Sequence, residues 1–164
     1  MPIIGFMSTL SVLLRIEKFL SGGNQLQQSK TSMSGKLRNI VIGDQDYVYT
    51  VNSKYDKVNK VDSISLRAFL KGNRKFPLEI EFVTKEQFIV GSPLFHGVDL
   101  FNTISKMSER VNINQPGFVR QFILLGIENG WTGKNKIPLQ NGMGFLRKMG
   151  YILDEIQCHN PCSS

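Results

Sequence analysis

Glu79 and Glu81 stand two residues apart in an alternating apolar run, so on a strand their carboxylates share one face. Paired carboxylates do the work in glycosidases and in cation sites. The same spacing is also the ordinary solvent row of a half-buried antiparallel strand. Acid–base chemistry near neutral pH usually enlists histidine, and the chain has two. His96 lies in Ser92-Pro93-Leu94-Phe95-His96-Gly97, and His159 lies close to the C-terminus. No serine is framed as Gly-x-Ser-x-Gly. His96 therefore reads as a structural or surface histidine, and catalysis would require Glu79, Glu81 and His96 to meet in one cleft.

Cys158, His159 and Cys162 form a metal-like cluster, with ligand types that suit zinc or copper. They are one ligand short of a structural zinc site, and their spacing departs from the two-residue gap of zinc knuckles. The cluster reads as a weak metal candidate in a frayed tail. Phosphate loops are absent from the pattern. Gly142-Met143-Gly144 has Arg147 where the dinucleotide fingerprint needs glycine, and Gly133-Lys134 lacks both the earlier glycine and the following Ser or Thr of a P-loop. No cofactor is expected.

Charge is the remaining chemical signal. The chain carries 20 Lys and Arg against 13 Asp and Glu, a net +7. Residues 54–75 hold seven of those bases against two Asp, and residues 131–149 hold Lys134, Lys136, Arg147 and Lys148 with no acid. If a loop at 54–60 and a turn at 71–75 share an edge, then Lys54, Lys57, Lys60, Arg74 and Lys75 form one basic patch. Tyr55 would be placed there to stack on a base. No helix-turn-helix, RRM signature or zinc finger accompanies it.

The elements that must hold these residues are legible in the apolar periodicity. Leu37–Ile42 and Tyr47–Val51 flank Gly43-Asp44-Gln45-Asp46 and read as a hairpin, with Tyr47, Tyr49 and Val51 on one face. Residues 52–61 are polar and read as an exposed loop. Ile64, Leu66, Ala68 and Leu70 then alternate with polar residues, and Phe76, Leu78, Ile80 and Phe82 repeat the pattern after a turn. Facing Leu70 with Phe76 puts Ala68 opposite Leu78, Leu66 opposite Ile80 and Ile64 opposite Phe82. The same register sets Arg67 against Glu79 on the outer face, and agreement of both faces is strong support for it. Pro77 implies an edge or a strand start. Phe88–Val90 and Leu94–Val98 read as further short strands.

The C-terminal third reads as helical. Asn114-Gln115-Pro116 is a helix start. Phe118, Phe122 and Leu125 form one stripe and Val119, Ile123 and Ile127 the adjoining one, while Gly130 ends the helix and Trp131 folds back toward Leu125. A shorter helix fits Asn141–Met149, with Phe145, Leu146 and Met149 inward, and ends in the same way at Gly150-Tyr151. The expected fold is α+β: an antiparallel sheet of four to five strands packed against one main and one short C-terminal helix.

A length of 164 residues suits one domain, expected at 37–151, with an apolar segment and linker at 1–36 and a tail at 152–164. The apolar stretch Pro2–Leu14 precedes Arg15 and Lys18, the reverse of a secretory signal, and no apolar run reaches the roughly 18 residues that span a bilayer. A cytoplasmic location is expected. Ser/Gly/Gln-rich residues 21–32 lead to Met33, which is a candidate natural start; beginning there leaves 17 bases against 12 acids, a net +5.

Tyr47-Val48-Tyr49-Thr50-Val51, Gly91-Ser92-Pro93-Leu94 and the segment from Asn114-Gln115-Pro116 through Glu128-Asn129-Gly130-Trp131 give the chain a resemblance. Over about residues 37–151 it resembles small uncharacterised bacterial proteins that pair a strand-rich half with a helix ending in Gly-Trp. The resemblance implies a bacterial source and one compact domain, and brings no catalytic residue with it. Taken together, the residues point to a small non-enzymatic protein that binds another protein. Nucleic-acid binding at the 54–75 edge is the alternative, and a Glu79/Glu81/His96 enzyme the weaker one.

Overall fold

The computed structural model describes residues 35–85 and 92–156. The segments proposed at 1–32, the candidate start at Met33, the strand expected at Phe88–Val90 and the cluster Cys158, His159 and Cys162 all lie outside the described residues. Four strands follow one another as antiparallel neighbours: β1 (Arg38–Ile42), β2 (Gln45–Asp56), β3 (Val61–Leu70) and β4 (Asn73–Lys85). A short helix α1 (Pro93–His96) leads to a second, two-stranded sheet of β5 (Val98–Asn102) and β6 (Met107–Val111). Helix α2 (Pro116–Glu128), the two-residue β7 (Gln140–Asn141) and helix α3 (Gly142–Lys148) complete the fold. β7 lies parallel to β4, so the five-stranded sheet is mixed and the fold is α+β.

Periodicity fixes the inner face. Tyr47, Tyr49, Val51, Ile64, Leu66, Ala68, Leu78, Ile80 and Phe82 are all buried in one core cluster. The β3–β4 register pairs Ile64 with Phe82, Leu66 with Ile80 and Ala68 with Leu78, as their alternation requires. On the other face Arg67 donates to Glu79 at 2.7 Å, a half-exposed pair worth a few tenths of a kcal/mol up to about 1. The register breaks one step earlier than expected. Leu70 pairs with Asn73, not Phe76, across an irregularity between Ala68 and Leu70. Pro77 stands where the regular ladder would have faced Phe69, and its missing N–H is the physical reason the ladder yields there. It is not a strand start but sits at a bulge within β4, in the part of that strand with no strand on its far side.

Three further expectations are corrected. Residues 52–56 are strand, not loop: they pair with Val61–Ser65, and only 57–60 turn. Their polarity reflects the exposed end of a long ribbon, not the absence of pairing. Leu94 lies in α1, because Ser92 followed by Pro93 starts a helix, and the strand begins at Val98. Past Tyr151 the chain does not leave the core: Leu153 and Ile156 are buried, and the Ile156 carbonyl accepts from the Lys85 N–H. That bond, β7, and the Trp131 indole N–H donated to the Phe76 carbonyl at 3.1 Å cover the far edge of β4 at three points. An open strand edge is thereby blunted.

Both longer helices end alike. Gly130 and Gly150 take φ of +94°, and the following Trp131 and Tyr151 donate back to the carbonyls of Gly126 and Leu146. These are the 6→1 bonds of a Schellman stop, and the Gly130 and Gly150 N–H groups add the 5→2 bonds to the Ile127 and Arg147 carbonyls. Helix α2 buries Val119, Phe122 and Ile123, and Gly126 lies against Leu78. This close approach turns Ile127 outward to a half-exposed position, correcting the expected second stripe. Trp131 folds onto Tyr47, with ring centroids 5.8 Å apart, so its destination is the sheet.

The start of α3 shows why propensity misjudges a residue. Glycine in a helix costs about 1 kcal/mol relative to alanine. Yet a Cβ on Gly142 would stand 2.4 Å from the Phe82 ring, a contact the packed sheet cannot absorb. Gly142→Ala is therefore expected to destabilise the protein, by about 1–3 kcal/mol, as overpacking does. Urea unfolding checks the sign, and a stabilised variant would contradict the packing.

Candidate functional site

The sequence-predicted basic edge divides in the structure. β3 has ten residues, so the 57–60 turn before it and the 71–72 turn after it lie about 30 Å apart. Lys54, Tyr55, Lys57 and Lys60 occupy the first end, Arg74 and Lys75 the second. At the first end Asp56 accepts from the Val58 and Asn59 N–H groups and from the Asn59 amide. These bonds, the Asn59 side chain foremost, hold its carboxyl below the usual range. An ionised Asp56 therefore sits among the three lysines.

The second end gains residues the sequence had placed in a separate run. Asn73 donates its amide to the Gly133 carbonyl at 3.0 Å, bringing the loop that carries Lys134 and Lys136 beside the β3–β4 turn. Nothing in the spacing of residues 71–75 and 131–136 announces that junction. Lys71 is paired with Asp46 at 2.9 Å.

The carboxylate pair and the histidine are not assembled. Glu79 is engaged by Arg67, and Glu81 shares its outward face, opposite the buried Ile80 and Phe82. His96 is exposed at the end of α1, edge-on to Phe95. Among the described residues no three His, Cys, Asp or Glu side chains group as a metal site.

Among the described residues, exposed apolar side chains gather around the β5–β6 turn, a hairpin whose mixed pattern gave no strand signal in the sequence; its register sets Phe101 and Ile152 on one face and Met107 on the other. Ile104 is 73% exposed, Met107 65%, Phe101 45% and Ile152 44%. The Ile152 N–H donates to the Phe101 carbonyl, and Ile104 lies over Gly150. The buried Asn102 builds the turn: its Oδ1 accepts from the Ile104 and Ser105 N–H groups, and its amide donates to the Met149 carbonyl. Thr103 donates its N–H and hydroxyl to the Gly150 carbonyl. Lys106 takes a left-handed φ of +61°, a strained state for a side chain that its surroundings hold in place.

Glu109 ties this hairpin down, accepting from the Ser105 and Tyr151 hydroxyls. Those two bonds, Ser105 first, hold its carboxyl below the usual range. Burial, with Glu109 beside it, pushes the Tyr151 phenol up. A lowered carboxyl stabilises the fold above the unfolded value, about 4.3, and that stability is lost as pH falls through the folded value. A raised phenol stabilises below about pH 10, and its contribution is lost as pH rises through the folded value. Thermal midpoints of the wild type should fall on both sides. Tyr151→Phe should flatten both limbs, and an unchanged acid limb would separate Glu109 from this network.

No family model matches the chain, and no curated protein or solved structure matches it either. Among the described residues no helix is long and apolar enough to cross a membrane.

Proposed function

We propose that the chain is a non-enzymatic binding protein that engages another protein through the end of the β5–β6 hairpin. The supporting observation is the exposure of Ile104, Met107, Phe101 and Ile152 around one turn whose N–H groups from Thr103 to Lys106 are all bonded. Apolar side chains fixed in advance lose little entropy on association, which is what an anchor requires. The aromatic residues of the sheet contribute less to this reading: Phe82 is buried between sheet and helix. Val58 is exposed at the opposite turn, and single surface residues of this kind are ordinary.

The test is affinity capture from the source cell with wild type and with Ile104→Asp/Met107→Asp. Both residues are exposed, so stability should change by less than about 0.5 kcal/mol. Proteins retained by wild type should be lost with the variant and kept by Lys54→Glu/Lys57→Glu. Equal retention by all three proteins would end the reading.

A further inference from the structure

We infer that a second surface, where the β3–β4 turn meets the 131–136 loop, is a binding site for the phosphate backbone of single-stranded nucleic acid. Two loops distant in sequence are joined there by the Asn73–Gly133 bond. Gly133 makes the close approach possible. Its φ is +74°, and a Cβ would stand 2.6 Å from the Leu70 Cβ. The 131–136 loop is fixed as well: the Asn135 amide donates to the Gly130 carbonyl, and its oxygen accepts from the Thr132 N–H. The result is a preformed platform that carries Arg74, Lys75, Lys134 and Lys136.

The charge balance of the platform is one-sided. Asp46 is engaged by Lys71, and no ion pair takes Arg74, Lys75, Lys134 or Lys136 among the described residues. Lys75 lies 5.3 Å over the Phe76 ring, so a half-buried aromatic sits among the cations. Cations beside an aromatic face are the elements of single-strand binding. Both long helices lie against the sheet, so neither projects to enter a duplex groove; a flexible strand can bend to meet two loops. The site is separate from the hairpin end, and either can fail without the other.

The experiment is fluorescence anisotropy of full-length protein with a labelled oligothymidylate at 50 and 200 mM salt. Four phosphate contacts give a salt slope near −2.8, so the fourfold rise in salt should weaken binding by about 50-fold. Arg74→Ser/Lys134→Ser should bind more weakly at 50 mM and lose only about sevenfold over the same range. Lys57→Ser/Lys60→Ser, at the far end of β3, and Ile104→Asp/Met107→Asp, at the hairpin, should keep the 50-fold dependence. Absence of binding at 50 mM, a salt-independent affinity, or the same loss from the Lys57/Lys60 variant would overturn the site. Equal competition by oligoglutamate would also overturn it, by assigning the platform to acidic proteins.

Discussion

Trp131→Ala is expected to cost about 3–5 kcal/mol of folding stability, enough to unfold much of a marginally stable domain. The chain's one tryptophan is fully buried against Tyr47 and donates its indole N–H to the Phe76 carbonyl at the β4 edge. Truncation removes the ring, leaves a cavity between sheet and loop, and leaves a strand carbonyl without its donor. The backbone consequence reaches the basic platform, because Trp131 is the first residue of the loop that carries Lys134 and Lys136. Trp131→Phe keeps most of the apolar volume but loses the indole donor and part of the ring, so it should fall between wild type and Trp131→Ala. Urea unfolding followed by circular dichroism measures all three. Equal stability of the alanine and phenylalanine variants would show that ring volume is not what holds the loop.

The residues that were legible in advance are those where two independent demands agree. Ile64, Leu66 and Ala68 alternate with Ser65 and Arg67, and one register satisfies both the apolar face and the Arg67–Glu79 pair. The helix stops at Gly130 and Gly150 were legible because a left-handed residue followed by an aromatic serves a single local purpose. What escaped depends on distant partners. The β3–β4 slip comes from one missing N–H, at Pro77, that alternation does not register. The β5–β6 hairpin alternates weakly because Phe101 and Met107 face solvent while Asn102 is buried. The need for glycine at Gly142 is invisible to local propensity, because the Phe82 ring that requires it lies on another element. The basic edge divides for a geometric reason. Lys60 and Arg74 are close in sequence, but the ten-residue strand between them is extended, so the length that separates them is the strand's own. The partner that the turn at 71–75 does gain, Lys134, arrives through the Asn73–Gly133 bond and Gly133's contact with Leu70, both tertiary events.

Phe122→Ala should cost as much as Trp131→Ala, about 3–5 kcal/mol, yet for a different reason and with a different reach. Phe122 is fully buried at the centre of the helix–sheet interface. Its ring meets Phe82 of β4 edge-on at 5.0 Å and lies 6.3 Å from Phe118, which in turn lies 6.2 Å from Tyr151. This aromatic row connects the main sheet to the residue whose hydroxyl holds Glu109 and hence the β5–β6 hairpin. No polar atom of Phe122 is lost on truncation, so the cost is transfer and cavity alone. The geometry of the Phe82 pair adds its own coupling of about 0.5–1.5 kcal/mol. A cycle of Phe122→Leu, Phe82→Leu and the double variant isolates that part, since leucine retains most of the buried area. The pair should prove non-additive by that amount in urea unfolding. Strict additivity would mean that the two rings contribute only as volume. In the alanine variant, hydrogen exchange at Ile104 and Ser105 should rise beyond the global change, because loosening Phe118 loosens Tyr151. If exchange at the hairpin follows global stability alone, the hairpin is held by its own hydrogen bonds and not through the aromatic row.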